Sequence, residues 1–332
     1  MGPLLTIICA IALVGAVALA VHHAEVVAHK VGEPFGTLVL ALSITVIEAA
    51  LILSVMLGVG AGAATLARDT MFATVMIICN GVVGACLFLG GIRHREQSFR
   101  IEGAGPAFAA LIALSALVLV LPNFTTSSPG PYYSRAQLAF AGACSLALWG
   151  VFAFFQTVRH RDFFLPRVDR ANEAAHAEPP SAPRAWGSFA VLLVSLVAVI
   201  GLAKLLSPQV ERAVRAAGAP DAVVGIVIAL VVLAPESLAA VRAALADRLQ
   251  TSMNLALGSA LASIGLTIPV VALAALALDI PLALGLNPLE LALLFLTFLV
   301  GTASLASGRT NLMQGAVHLV VFAAFLFLAL VP

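Results

Sequence analysis

Charge is what this sequence has least of. Only 10% of its 332 residues are Asp, Glu, Lys or Arg, against roughly 25% in a soluble domain. With 62% hydrophobic residues, no water-soluble fold could hide so much apolar surface, so a lipid bilayer must be the solvent. Cysteine is also sparse: Cys9, Cys79, Cys86 and Cys144 all fall inside apolar runs. None forms a Cys-x-x-Cys pair and no histidine is spaced to complete a zinc site, so core packing is expected of them. His22, His23, Glu25 and His29 cluster without the His-Glu-x-x-His order of a metalloprotease. A Gly-x-Ser-x-Gly nucleophile elbow is missing as well. Neither an enzyme nor a resident cofactor is therefore expected. A net charge of +1 without a clustered basic face excludes nucleic acid as a partner. Met1-Gly2-Pro3 lacks the basic region of a cleaved signal peptide, so the first apolar stretch is expected to be a retained helix.

What is present is length of apolar chain. A membrane helix needs about 20 apolar residues, at 1.5 Å each, to cross a core of about 30 Å. By that measure there are about ten spans, near residues 4–21, 34–59, 70–92, 106–122 and 136–158, then 187–206, 219–243, 250–278, 286–304 and 312–331. The span at 250–278 is long and interrupted by Pro269, which predicts a tilt or a kink. Between the two sets lies the single long polar segment, 159–186, containing Glu178-Pro179-Pro180-Ser181-Ala182-Pro183. Its composition reads as a flexible linker, either a plain hinge or a regulatory ion-binding segment. The expected organisation is a first repeat at 1–158, the linker at 159–186 and a second repeat at 187–332.

Basic residues set the orientation. Lys30, Arg93, Arg95, Arg100, Arg159, Arg161, Arg167, Arg170, Arg184, Arg242, Arg248 and Arg309 fall on one side of the ten crossings. Only Arg68, Arg135, Lys204, Arg212 and Arg215 fall on the other. The first side, with the linker, should be cytoplasmic, and both termini outside. Five spans per half make the second half enter in the opposite sense, the geometry of an inverted repeat. The halves also echo each other. Each has an amphipathic piece after its first span (22–30 and 208–215), then a glycine (Gly32, Gly218), then a span carrying a glutamate. Each next span starts near an Arg/Asp pair (Arg68-Asp69, Asp247-Arg248) and carries Asn-x-x-x-Gly, as Asn80 to Gly84 and Asn254 to Gly258.

Glu48 and Glu236 stand near the middle of their spans. A charge there costs at least about 2.5–3.5 kcal/mol, so such residues face a cavity or a partner. At matching places in inverted halves they converge on one site, either a shared cation and proton site or a pair of neutral acids bonded between helices. Thr37, Ala41 and Thr45 share the face of Glu48. Gly225, Ala229 and Val232 share that of Glu236. Pro235 has no N–H, which leaves the carbonyl of Val231 either a cation ligand or the mark of a mere kink. Asn80, Asn254, Ser259 and Ser263 add neutral oxygens from neighbouring spans, and an all-oxygen set suits Na⁺, K⁺, Ca²⁺ or Mg²⁺. Gly81, Gly84 and Gly258 serve equally well as close-packing points. His318, in the last span, is either a structural hydrogen-bonding group or part of a proton path. His22, His23 and His29 are either pH sensors or a solvated helix face. Glu290 reads as an N-terminal helix charge.

The motifs Gly32-Glu33-Pro34-Phe35-Gly36-Thr37-Leu38 leading to Glu48, Arg68-Asp69-Thr70, Ala234-Pro235-Glu236, Met253-Asn254-Leu255-Ala256-Leu257-Gly258-Ser259 and Ser307-Gly308-Arg309-Thr310-Asn311 followed by Gly315 and His318 occur in fixed order. In these the chain resembles the ChaA-type sodium/potassium/calcium–proton antiporters of the calcium/cation antiporter superfamily. That resemblance implies an all-α membrane protein of two inverted five-helix repeats in a bacterial inner membrane. It implies one essential glutamate per repeat, here Glu48 and Glu236, exchanging Ca²⁺, Na⁺ or K⁺ for H⁺ by alternating access. A cation channel using the same carboxylates is the alternative. Many related exchangers place Asn three residues before each glutamate, where Thr45 and Leu233 stand here. The dense acidic run found in some relatives' central loops is reduced here to Asp162, Asp169, Glu173 and Glu178.

Overall fold

The computed structural model describes residues 3–32, 35–59, 64–165, 180–216, 220 and 222–331. Glu33, Pro34, Gly218 and most of the central linker, with its Glu178-Pro179 segment, lie outside these, as does the side chain of Thr37. Ten helices make up the described chain. They are α1 (Pro3–Val31), α2 (Phe35–Val59), α3 (Leu66–His94), α4 (Ile101–Phe124), α5 (Arg135–Arg159), α6 (Ala182–Ala216), α7 (Ala222–Leu245), α8 (Leu249–Leu278), α9 (Pro288–Leu305) and α10 (Leu312–Leu330). Nine of them, among the described residues, are long and apolar enough to cross a membrane. The tenth, α2, has a shorter described apolar stretch, Ala41–Leu57.

The expected spans are all present, but two are longer than composition suggested. The amphipathic pieces at 22–30 and 208–215 are not separate elements; they continue α1 to Val31 and α6 to Ala216 without a break. The backbone hydrogen-bond ladder of α1 runs on once nucleated, while α6 continues past Pro208 with the one rung that a proline's missing N–H removes. A second refinement concerns α8. Its backbone widens to a π-helical turn at Ser263–Thr267, directly before Pro269. Proline leaves the carbonyl four residues earlier without its donor, and a π turn absorbs that mismatch. A similar turn occurs in α3 at Ile77–Val82.

Helix ends are fastened across the two halves. On the linker face, β1 (Glu96–Ser98) pairs antiparallel with β2 (Arg309–Asn311). There the Gln97 amide donates to the Ala244 carbonyl (2.9 Å) and to Asp247 (2.8 Å). On the opposite face, residues 283–286 run extended through the first-half loops. Ala283 N donates to Ala64 O, Leu284 N to Pro131 O, and Leu286 N to Leu119 O. Arg135 pairs with Asp279 at 2.6 Å on that same face. These contacts put the α3–α4, α7–α8 and α9–α10 connections on one side and α2–α3, α4–α5 and α8–α9 on the other, and the alternation of ten crossings adds α1–α2 and α5–α6 to the first set and α6–α7 to the second. Five helices per half make the second half run opposite to the first.

Packing divides the helices unevenly. One large buried cluster unites α3, α4, α5, α8, α9 and α10 with single faces of α2 and α7. A second, smaller one joins Val17, Val21 and Ala24 of α1, Leu192, Val199 and Ala203 of α6, Ile44 and Ile47 of α2, and Val232 of α7. Close approach in the large cluster depends on missing side chains. A Cβ at Gly315 of α10 would lie 2.3 Å from the backbone nitrogen of Phe88 in α3. One at Gly225 of α7 would lie 2.8 Å from the backbone of Asp69.

The crossing pattern is directly testable. A cysteine placed at Arg95 should react with an impermeant thiol reagent from the linker side, and one at Ser128 only from the other, because α4 alone separates them. Labelling of both from one side would refute the assignment of α4 as a span.

Candidate functional site

Glu48 comes 13 residues after Phe35 in α2, and Glu236 comes 14 after Ala222 in α7. At 1.5 Å per residue each sits about 20 Å along its helix. Since α2 and α7 run in opposite senses, both carboxylates fall at middle depth. They lie within electrostatic reach of each other.

Glu48 is 1% exposed. Three hydroxyls face it: Ser263 donates at 2.6 Å, while Thr267 and Thr74 donate at 3.4 Å. Ser263 and Thr267 are the first and last residues of the π turn in α8, so that turn aims two hydroxyls at one carboxylate. Thr74 comes from α3, one residue into the turn before the other π segment. Glu236 is half-buried and accepts a short hydrogen bond from the Ser259 hydroxyl, one turn before Ser263 on α8. One helix therefore serves both glutamates. Pro235 lies inside α7, so Val231 lacks the usual donor to its carbonyl.

Of the expected supporting residues, Ser259 and Ser263 are in the site. Thr45 is buried on the α2 face, but its hydroxyl is turned to its own helix, donating to Ala41 O at 2.9 Å. Two residues are elsewhere, and here the expectation needs correcting. Asn254 lies five residues into α8, near the linker face, where its amide donates to Phe164 O at 2.6 Å. Asn80 lies 14 residues into α3 and hydrogen-bonds Thr297 of α9 at 2.8 Å. The two Asn-x-x-x-Gly motifs thus occupy different depths, and their shared spacing does not mark equivalent positions. Thr74 and Thr267 were not anticipated. Serine and threonine in apolar helices commonly bond the carbonyl four residues back, and sequence does not separate those from hydroxyls aimed at a ligand.

His318 belongs to a second polar cluster. It is 1% exposed, with Nδ1 3.2 Å from Asn80 Oδ1 and Nε2 3.1 Å from Ser304 Oγ. These contacts tie α10 to α3 and α9. Glu290 occupies the third position of α9, where it completes a capping box with Asn287, as its place in the sequence suggested.

Carboxylates and hydroxyls at middle depth, without a nucleophile–base pair, can hold a hard cation or protons. Among the described residues there is no group of three or more His, Cys, Asp or Glu able to hold a metal ion, so a cation here would draw on neutral oxygens too.

Comparison with known proteins gives the family. The family model described as Sodium/calcium exchanger protein matches residues 1–158 and 187–331. The y4hA protein of Sinorhizobium fredii is 53% identical over 320 residues, covering 96% of this chain and 87% of that protein. The Sodium-potassium/proton antiporter ChaA of Escherichia coli is 36% identical over 329 residues, covering 98% and 89%. Among solved structures, the H⁺/Ca²⁺ exchanger CAX superposes with a TM-score of 0.74 at 16% identity, covering 98% of this chain and 82% of that one.

Proposed function

The chain belongs to the sodium/calcium exchanger protein family, and from that premise we propose that it exchanges Ca²⁺, Na⁺ and K⁺ for protons in a bacterial inner membrane. The linker face is cytoplasmic in this reading, and the two repeats at 1–158 and 187–332 are joined by the linker at 159–186. Glu48 and Glu236 carry the exchanged cation or, in its place, protons. The observation that carries the reading is their meeting at middle depth from α2 and α7, each facing hydroxyls of α8.

The chemistry follows from charge balance. Two carboxylates neutralise one Ca²⁺, two monovalent cations or two protons, so each species can displace another. A Ca²⁺ shell takes six to eight oxygens. The two carboxylates and the hydroxyls of Thr74, Ser259, Ser263 and Thr267 supply part of such a shell; the free carbonyl of Val231 and water supply the rest. With Thr45 and Leu233 standing three residues before the glutamates instead of amides, the site demands less of its ion and accepts Na⁺ and K⁺ as well as Ca²⁺.

The separate small core of α1 and α6 supports alternating access. That pair meets the rest of the molecule through single faces of α2 and α7, the helices that bear the glutamates. Sliding it exposes the site to one side at a time without breaking the large cluster. A continuous pore is less well supported, because Glu48 is sealed at 1% exposure. The relatives named above as antiporters and exchangers are transporters rather than enzymes.

Purified protein in proteoliposomes provides the test. An imposed pH gradient should drive uphill accumulation of Ca²⁺, Na⁺ and K⁺, assayed with one chloride salt at a time. Rates should rise from about pH 6.5 to about pH 9, because fewer protons then compete for the carboxylates. Downhill flux alone would establish a channel, and a response to Ca²⁺ alone at alkaline pH would refute the broad selectivity.

A further inference from the structure

A cavity of about 110 Å³ lies on the face opposite the linker, apart from the paired glutamates. It is framed by the starts of α3, α7 and α9 and the end of α10, through Phe72, Ile226, Leu293, Phe325 and Leu328. Phe72 and Phe325 meet edge to face at 5.5 Å and make one wall. Four helix ends at one level mark the depth at which headgroups meet the hydrocarbon core. Leu289 also lines the cavity and is exposed. It stands at i, i+7 and i+10 with Leu296 and Leu299, which are exposed as well, so the three share one apolar face of α9. A face of that kind on a membrane helix meets lipid, and the cavity therefore borders the bilayer.

One charged group in this cavity has an oxygen to spare. Glu290 is only 9% exposed. Its Oε2 accepts the Asn287 N–H at 2.9 Å within the capping box. Among the described residues nothing donates to its Oε1, and no cation forms a salt bridge with it. The guanidinium of Arg68 is already engaged, pairing with Asp69 at 2.7 Å and donating to Gly285 O at 3.2 Å. Asp69 in turn accepts the Thr65 hydroxyl at 2.9 Å.

A spare carboxylate oxygen binds a positively charged N–H donor strongly. The remaining wall decides what that donor is attached to. Cavities lined by leucine, isoleucine and phenylalanine stay dry and take apolar groups. An inorganic cation is poorly served, since Ca²⁺ takes six to eight oxygens. Besides Glu290, only Asp69 and Asn287 bring side-chain oxygens to the lining among the described residues.

We propose that this cavity binds an aminophospholipid from the leaflet on that face. Its primary ammonium donates to Glu290 Oε1, and its apolar part lies against Phe72, Phe325 and Leu328. A quaternary ammonium has no N–H to donate, so a choline headgroup is the natural contrast. The site is separate from cation–proton exchange and does not rest on it.

Native mass spectrometry of the detergent-solubilised chain reads binding directly, titrated with phosphatidylethanolamine or with phosphatidylcholine of the same acyl chains. One phosphatidylethanolamine should bind at least about tenfold more tightly than phosphatidylcholine. Glu290→Gln should lower that affinity by about ten- to a hundredfold and erase the preference. The start of α9 should survive this change, because glutamine also completes a capping box. Ile226→Phe fills the cavity from α7 without touching a carboxylate and should also expel the lipid. Equal affinity for the two lipids, or a Gln variant that keeps the preference, would overturn the proposal. So would displacement by free ethanolamine as readily as by the whole lipid, since the apolar wall would then contribute nothing. Should the Gln variant not fold, Ile226→Phe decides, and unchanged binding there sinks the site.

Discussion

Glu48→Gln and Glu236→Gln should each abolish cation–proton exchange, by at least about a hundredfold, while leaving a folded and inserted protein. Glutamine keeps the shape of the side chain and its capacity to accept a hydrogen bond, so Ser263 and Ser259 retain their partners. What it removes is the ability to bind a proton or to neutralise a cation. Taking one of two carboxylates from a site that must balance a divalent ion leaves an uncompensated charge at middle depth, which costs several kcal/mol. Each 1.4 kcal/mol is about tenfold in an equilibrium constant, so the loss should be close to complete. Proton efflux on cation addition measures the exchange, and a monodisperse elution profile in detergent reports the fold. A variant that still exchanged at near-parent rates would remove that glutamate from the mechanism.

Ser263→Ala comes next in size. Its hydroxyl donates to a fully buried carboxylate at 2.6 Å, and hydrogen bonds to charged groups are worth about 1.5–3 kcal/mol. Cation affinity should fall by about ten- to a hundredfold. Thr267→Val and Thr74→Val act at 3.4 Å, beyond the optimum for an O–H···O bond, so their effects should be smaller. That order distinguishes a ligand set from a packing role. Serine and alanine differ little in volume, whereas threonine and valine are nearly isosteric. A packing role would give small, similar effects at all three positions. Titration of cation-driven proton release against cation concentration reads the affinities, and equal losses at the three positions would contradict the geometry.

Most of the fold was legible because a bilayer imposes so few solutions. Apolar length fixed the ten spans, and basic residues assigned the connections to two faces. Helix ends were harder where polarity begins before the helix stops. His22 through Lys30 look like a boundary by composition, yet α1 runs through them to Val31. The site was half legible. Glu48 and Glu236 stand out because a carboxylate in an apolar span has a large cost and hence a reason. Ser259 and Ser263 follow from their closeness in sequence on one helix face. Thr74 and Thr267 do not, since a hydroxyl leaves no such energetic signature. Asn80 misled for a different reason. Its burial is complete, but Thr297 and His318 satisfy it, and a buried amide marks a network without saying which one. The π turn that aims Ser263 and Thr267 together has no compositional mark beyond the nearby Pro269.

The bond between Glu48 and Ser263 spans 215 residues of chain, which has a consequence for how the protein is made. At about 5–20 residues per second, the ribosome adds the serine some 10–40 s after the glutamate. For that interval the first five helices stand in the bilayer with a carboxyl whose main partner does not yet exist. The extended segment that later fastens Ala64, Leu119 and Pro131 from the opposite half is missing too. The half-synthesised chain is thus the stage most open to wrong helix pairing and to membrane proteases. Insertion of α8 is the step that ends this exposure.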